Sequence, residues 1–294
     1  MAFAVTSIDR LIVRSEPPLR EMYKLSPFVW RERNEYHVLI RAVPHVDNPA
    51  EKVARIYHGR STDGIAFEMD AQPAISPGRS NDDNGGCEDP SVAIVDGTYY
   101  VYYTGWNEAE KCGQLMLATG STPSQFEKHG VALPSTPEQQ NPKEATIVQA
   151  ADGSWRLFYE FATDGASRIG VATGTSVAGP WRVLDLPFKA RTADWDSWHL
   201  STGPFCNPHS GESVMFYNGS GRDADWRIGW IAFDDNFSHV IRRCTDPIIA
   251  PPANREPGTT DIAFAASAVE EEGSIALYYS VADKDMHRAT IRRL

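Results

Sequence analysis

Long apolar runs are missing from this 294-residue chain: no stretch of about 18 consecutive apolar residues occurs, which excludes a transmembrane helix. Positive charge is scarce too. With 28 Lys and Arg against 39 Asp and Glu, the formal net charge is −11. That balance disfavours nucleic acid and anionic membrane as partners, since both require a basic surface. The four cysteines, Cys87, Cys112, Cys206 and Cys244, lie far apart with no CxxC spacing. Neither a zinc site nor a disulfide framework is indicated, and a cytoplasmic protein with free thiols is the simplest reading. No GxGxxG or P-loop suggests a nucleotide, flavin or NAD, and no HExxH or spaced histidine cluster suggests a metal. The sequence thus implies no cofactor. The N-terminal "MAFAVTSIDRLIVRSEPP" has neither an uninterrupted apolar core nor a small-residue cleavage site and reads as mature sequence. Assembly into a homo-oligomer is compatible with all of these features.

What the chain has in quantity is aromatics, with eight Trp, eleven Tyr and twelve Phe. Many fall in one recurring strand: "EYHVLIRA" (35–42), "TYYVYYTG" (98–105), "SWRLFYEF" (154–161), "ESVMFYNG" (212–219) and "SIALYYSV" (274–281). With Ile40, Tyr103, Tyr159, Tyr217 and Tyr279 taken as equivalent, the intervals are 63, 56, 58 and 62 residues. Each copy follows another β-run by a turn, twice an Asp-Gly, and leads into a third strand that is shortened in the last copy, "HRATIRRL". No convincing amphipathic helix intervenes. Five such units indicate an all-β fold, a five-bladed β-propeller, as one domain over residues 1–294. A β-sandwich with accidental internal similarity is the alternative.

In a propeller, the start of each blade's first strand and the end of its second lie on one face of the central channel. Around the ring the starts read Ser26-Pro27, Glu88-Asp89-Pro90, Lys143-Glu144-Ala145, Thr202-Gly203-Pro204 and Phe264-Ala265. The ends read Arg41, Thr104, Glu160, Asn218 and Ser280. Asp89, Lys143, Glu144, Arg41, Glu160 and Asn218 therefore converge on one mouth. Paired carboxyl groups beside an arginine suit carbohydrate chemistry, where one acid protonates a glycosidic oxygen and another activates water. Each residue alone has a plainer use: Asp89 as a turn residue before Pro90, Arg41 as a partner of Asp89 or Glu88, Glu160 as a solvated rim group. The convergence carries the functional inference.

The motifs "LIRA" with Arg41, "GCEDPSV" with Asp89, "NPKEATIV" with Lys143, "WDSWHLSTGPF" with His199 and "YYSVAD" with Asp283 occur in an order that resembles glycoside hydrolase family 130, the β-mannoside phosphorylases and hydrolases. The resemblance covers nearly the whole chain and implies a five-bladed propeller acting on β-mannosides. It implies that Asp89 is the proton donor, working by relay through a substrate hydroxyl, and that Arg41 binds the sugar in the −1 subsite. Glu88, Lys143, His199, Asn218, Asp261 and Asp283 join Arg41 as expected substrate ligands.

The departures matter as much. Where phosphorolytic members hold phosphate with an Arg and a His, this chain has Glu160 and Asn218. Lys143 is kept, a Lys in the "WD" segment is His199, and the Arg after "EDP" is Ser91. A phosphate dianion facing Glu160 and Glu144 would be repelled at a cost of several kcal/mol. The expectation is an inverting exo-acting hydrolase of β-mannosides, with Asp89 as acid and Glu160 or Glu144 as base. Three rivals stand beside it. One is a phosphorylase releasing mannose 1-phosphate, with Lys143, Arg168 and His199 as anion ligands. Another is a related furanosidase, weakened by Ser26 where those enzymes carry a third carboxylate. The last is a propeller that binds glycan without cleaving it.

Overall fold

The central strands of the repeats are apolar without interruption because both of their faces are covered. A computed structural model describes residues 2–48, 51–206, 212–252 and 261–294, and all of its regular structure is β apart from one 3-10 turn, Leu19–Glu21. Five sheet units follow one another along the chain. Unit 1 contains Tyr23–Glu32, Glu35–Val43, Arg55–Ser61 and Ala66–Ile75. Unit 2 is Gly86–Val95, Thr98–Asn107, Cys112–Thr122 and Gln125–Leu133. Unit 3 is Gln140–Gln149, Trp155–Thr163, Ala166–Gly174 and the short Arg182–Val183. In each of these the strands pair antiparallel with their sequence neighbours.

Unit 4 is broken into two small sheets. One joins His199–Ser201, Asn218–Ser220 and Arg227–Ile228; the other joins Phe205–Cys206, Ser213–Met215, Ile231–Phe233 and Val240–Arg243. The break falls at Gly203-Pro204. A side chain on Gly203 would meet the Phe216 carbonyl oxygen at 1.8 Å, and Pro204 has no N–H to give to the ladder. Part of the fourth hairpin, residues 207–211, lies outside the described residues.

Unit 5 differs from the sequence expectation. Its third strand, Asp285–Arg293, is full length, and the N-terminal strand Phe3–Arg10 adds a fourth, paired antiparallel from Phe3 opposite Arg293 to Arg10 opposite His287 with a one-residue shift between Val5 and Ser7. Two residues later, Ile12–Arg14 runs parallel to Ala66–Ile75 on the outer edge of unit 1. The first fourteen residues thus tie the last unit to the first. Every unit packs against the next, and the first strand of unit 5 packs against that of unit 1.

Side chains that alternate along each middle strand feed the two neighbouring interfaces in turn. Val101 and Tyr103 of unit 2 join Leu39 and Ile56 of unit 1, while Tyr102 between them joins Leu157 and Tyr159 of unit 3. Phe158 turns the other way, onto Phe205 and Phe233 of unit 4. Leu277 and Tyr279 of unit 5 belong to the same cluster, and Tyr278 packs towards unit 1. Buried tyrosines need partners for their hydroxyls. Tyr102 donates to the Val177 carbonyl at 2.8 Å, Tyr103 to Asp83 at 2.8 Å and Tyr278 to the Gly64 carbonyl at 3.0 Å.

Candidate functional site

One backbone device recurs where the units approach their common centre. In unit 1, Leu25 pairs with Arg41 and Phe28 with Leu39, so the first strand carries one extra residue. Unit 2 repeats this between Glu88 opposite Thr104 and Ser91 opposite Tyr102, and unit 3 between Lys143 opposite Glu160 and Thr146 opposite Phe158. Each is a β-bulge. The residue after the last pair is left-handed in all three: Ser26 at φ 51°, Asp89 at φ 47° and Glu144 at φ 51°. For residues with a side chain this conformation costs about 1–3 kcal/mol each. The bulges turn Ser26, Asp89 and Glu144 towards one another.

Directly beneath them is a cavity of about 10 Å³, walled by Ser26, Asp89, Glu144, Thr202 and Ala265, with all five units contributing. Above them opens a chamber of about 270 Å³. Five carboxyl groups line it, those of Glu88, Asp89, Glu144, Glu160 and Asp283, together with the two cations Arg41 and Lys143. The apolar part of the wall is Leu25, Trp226, Ile262 and Phe264, with Trp226 edge-on to Phe264 at 5.3 Å.

Both cations are already engaged. Arg41 meets Glu88 at 2.8 Å and Asp89 Oδ1 at 3.2 Å, and Ser26 Oγ donates to the same Asp89 oxygen at 2.7 Å. Lys143 Nζ lies 3.3 Å from Glu160 Oε1, which also accepts from Ser167 Oγ at 2.7 Å. These contacts divide the proton affinities. Burial alone would raise the Asp89 carboxyl, but Arg41, the Ser26 hydroxyl and Lys143 together hold it below its ordinary value. Glu144 is pushed well above the carboxylate range, first by burial and then by the Asp89 charge. Burial also raises Glu88, against the pull of Arg41. Asp283, exposed at the rim, is raised for the same first reason, again against the pull of Arg41. Lys143 is held firmly protonated, chiefly by Glu160. The chamber therefore sets Asp89, drawn towards its ionised form, beside Glu144, drawn towards its protonated form. Such divergence within one cleft is characteristic of acid–base sites.

Seven of the ten residues expected from the sequence line this chamber: Arg41, Glu88, Asp89, Lys143, Glu144, Glu160 and Asp283. The other three do not. Asn218 is fully buried beneath the wall, where its amide donates to the carbonyls of Thr202 (2.6 Å) and Ala265 (3.2 Å) and accepts from the Ala265 N–H at 2.7 Å. It staples unit 4 to unit 5. His199 stands behind Glu160, its Nδ1 accepting from the Ser167 N–H at 3.0 Å and its ring 5.6 Å from Trp226; burial lowers its pKa. Asp261 is buried, its backbone carbonyl accepting from the Trp226 N–H at 2.9 Å, while Ile262 and Phe264 beyond it reach the chamber. Arg168 donates to the Trp198 carbonyl at 2.6 Å and does not line the chamber either. The trio of Lys143, Arg168 and His199 is therefore not assembled around the cavity.

Sequence reasoning missed Ser26 as an Asp89 ligand and Trp226 and Phe264 as wall residues. Ser26 could have been found, since it occupies the unit 1 position equivalent to Asp89 and Glu144. Trp226 carries no comparable signal. Among the described residues no group of His, Cys, Asp and Glu is arranged to hold a metal ion, and no helix is long and apolar enough to cross a membrane.

A family model described as β-1,4-mannooligosaccharide phosphorylase matches residues 16–293. The β-1,2-mannobiose phosphorylase of Thermoanaerobacter sp. (strain X514) is 25% identical over 275 residues, covering 89% of this chain and 87% of that protein. Among solved structures, the β-1,2-mannobiose phosphorylase of Listeria innocua in complex with β-1,2-mannobiose superposes with a TM-score of 0.80 at 19% identity, over 98% of this chain and 97% of the other. Another was described with the statement that the GH130 family of mannoside phosphorylases contains glycoside hydrolases that target β-1,2 mannosidic linkages in Candida mannan. It gives a TM-score of 0.79 at 21% identity, over 98% and 94% of the two chains. Matched from residue 16 to residue 293, the chain belongs to glycoside hydrolase family 130, a family of β-mannoside-acting enzymes.

Proposed function

We propose that the chain is a five-bladed β-propeller, one domain over residues 1–294, that cleaves β-mannosides with Asp89 as proton donor and water as the attacking group. The observation that carries the choice of water is the charge of the chamber: five carboxyl groups face two cations, and each cation is already paired with one or more of them. A phosphate dianion entering here would be repelled by about 8 kcal/mol for each ionised carboxylate 4 Å away, at an effective dielectric constant of ~20. A neutral water pays nothing comparable. Glu160 is the better base. Burial and the Asp89 charge favour the protonated form of Glu144, which makes it the poorer proton acceptor. A neutral sugar that displaces water from Asp89 and draws Arg41 onto its hydroxyls would raise the Asp89 carboxyl, bringing it to the protonated form that a donor needs. Cleavage by water from the opposite face would invert the anomeric centre, and a chamber of about 270 Å³ suits a terminal sugar.

Phosphorolysis is the second reading, and the comparisons favour it: the family model and the related proteins from Thermoanaerobacter and Listeria carry phosphorylase names. One assay separates the two. β-1,2- and β-1,4-mannobiose are incubated in phosphate-free buffer and again with phosphate, and the products identified. Free mannose at a rate indifferent to phosphate is expected, with turnover abolished in Glu160→Gln. Mannose 1-phosphate formed only in the presence of phosphate would overturn the choice of water.

A further inference from the structure

A second cavity, of about 450 Å³, adjoins the chamber on the side of units 1 and 5. Leu25, Arg41 and Asp283 line both, so a glycan leaving the chamber beside Arg41 enters this annex. Its remaining wall has a different chemistry. Tyr23 offers a ring, backed by His45 with 4.4 Å between centroids. Lys52 and Lys284 offer two exposed ammonium groups. Lys111, Lys128 and Lys143 each pair with a carboxylate. Among the described residues no such partner stands within ion-pair distance of Lys52 or Lys284; of the acids next to them in sequence, Asp285 pairs with Arg10, Glu51 is exposed, and Asp283 lines the annex itself. The chain carries a net charge of −11 and its chamber is rich in acids, whereas the annex holds three cations, Arg41, Lys52 and Lys284, against the single carboxyl of Asp283, so this edge reverses the local sign. A neutral glycan gains only ordinary hydrogen bonds from the two lysines there. An anionic one gains two charge-assisted hydrogen bonds.

Resting on the β-mannoside reading above, we infer that the annex binds the sugar unit beyond the chamber and selects glycans in which that unit carries an anionic substituent, a carboxylate or a phosphate ester. Tyr23 takes the ring of that unit, and Lys52 and Lys284 take its charge. The separation from Glu160, Glu144 and Asp89 lets an anion bind here that the chamber itself would repel.

Three β-mannosides of one linkage test this, with glucose, glucuronate or glucose 6-phosphate as the second unit. In the wild type kcat/KM for the charged compounds should exceed that for the neutral one by at least about fivefold, the scale of a single favourable charge pair. The excess should shrink in 0.5 M salt and vanish in the Lys52→Ser/Lys284→Ser double variant, read as the charged-to-neutral ratio so that general loss of activity cancels. Whichever of the carboxylate and phosphate arms shows the excess identifies the substituent. Equal rates, or an excess that survives in the double variant, overturn the inference. If none of the three is turned over, the β-mannoside reading fails, and calorimetry with free glucuronate and glucose 6-phosphate decides the annex separately. Saturable binding that the double variant loses supports it; no binding by the wild type overturns it. Inorganic phosphate binding as tightly as glucose 6-phosphate would also overturn it, because the sugar would then contribute nothing.

Discussion

Asp89 sits at the centre of a conflict between its conformation, its partners and its proposed task. Its backbone is left-handed, and its carboxylate is held ionised by Arg41 and Ser26, yet a proton donor must be protonated when the glycosidic bond breaks. In the free protein the low value of Asp89 should therefore make kcat/KM fall as pH rises through the acid range, because the protonated fraction disappears. Removing the Ser26 hydroxyl takes away one of the interactions that hold Asp89 low. In Ser26→Ala the falling limb should move to higher pH, while Asp89→Asn should lose at least about 100-fold in kcat at every pH. A limb that stays in place in Ser26→Ala would mean that another group sets it. Glu160 and Asn218 show what a single register position can and cannot reveal. Both end the second strand of their unit, as Arg41 does, and that shared position made all three legible as candidates. Long side chains at this position lean over the strand edge into the chamber. The shorter Asn amide is captured by the Ala265 backbone, a competition that sequence spacing does not express.

At the scale of elements, the bulge and the closing strand show where sequence reading works. The hairpins were legible because each middle strand is buried on both faces, which imposes an apolar run flanked by turn residues. The extra residue in each bulge was not, since nothing in "LSPF", "EDPS" or "KEAT" marks a left-handed residue, and Glu is a rare choice for it. The strand Phe3–Arg10 was also hidden. It is short, half of it is exposed, and its partner lies at the other end of the chain. Its anchor is Phe3, buried edge-on to Phe216 at 5.3 Å and Trp230 at 5.5 Å. Phe3→Ala should cost about 3 kcal/mol and lower Tm by at least about 5 °C. It should leave KM for the preferred mannoside unaltered, because the strand is remote from the chamber. Thermal unfolding followed by circular dichroism checks this, and an unchanged Tm would show that the closing strand is dispensable.

For the whole molecule, the chamber is a cost that the five packed units sustain. The seams near the centre are tied by hydrogen bonds from one unit to the next: Cys87 N–H to the Ala54 carbonyl at 3.0 Å, Gly113 N–H to Asn141 at 2.9 Å, Thr146 to the Gly203 carbonyl at 3.1 Å, the Asn218 staple, and Ser267 between Val29 and Pro27 at 2.7 and 2.8 Å. Against these stands Glu144. Its pKa is higher in the folded than in the unfolded chain, so between its ordinary value and the raised one the folded state holds more protons, and stability falls as pH rises through that window. Glu144→Gln removes the penalty. The variant should melt above the wild type at neutral and alkaline pH, with the difference closing towards pH 4, where both are uncharged at this position. A constant difference at all pH values would assign the gain to packing and not to charge.

The pairing of Phe3 with Arg293 also has a meaning in time. Residues 3–10 are synthesised long before their partner strand, Asp285–Arg293. Until that strand has been made, this segment has no complementary edge to pair with, and unit 5 has no complete sheet. Whatever earlier units achieve on their own, the sheet of unit 5 is completed only once Asp285–Arg293 has been made, by a contact between residues far apart in sequence that belongs to the slow, non-local class. A chain ending at residue 284 would keep every residue that lines the chamber and still lack the strand that Phe3–Arg10 pairs with.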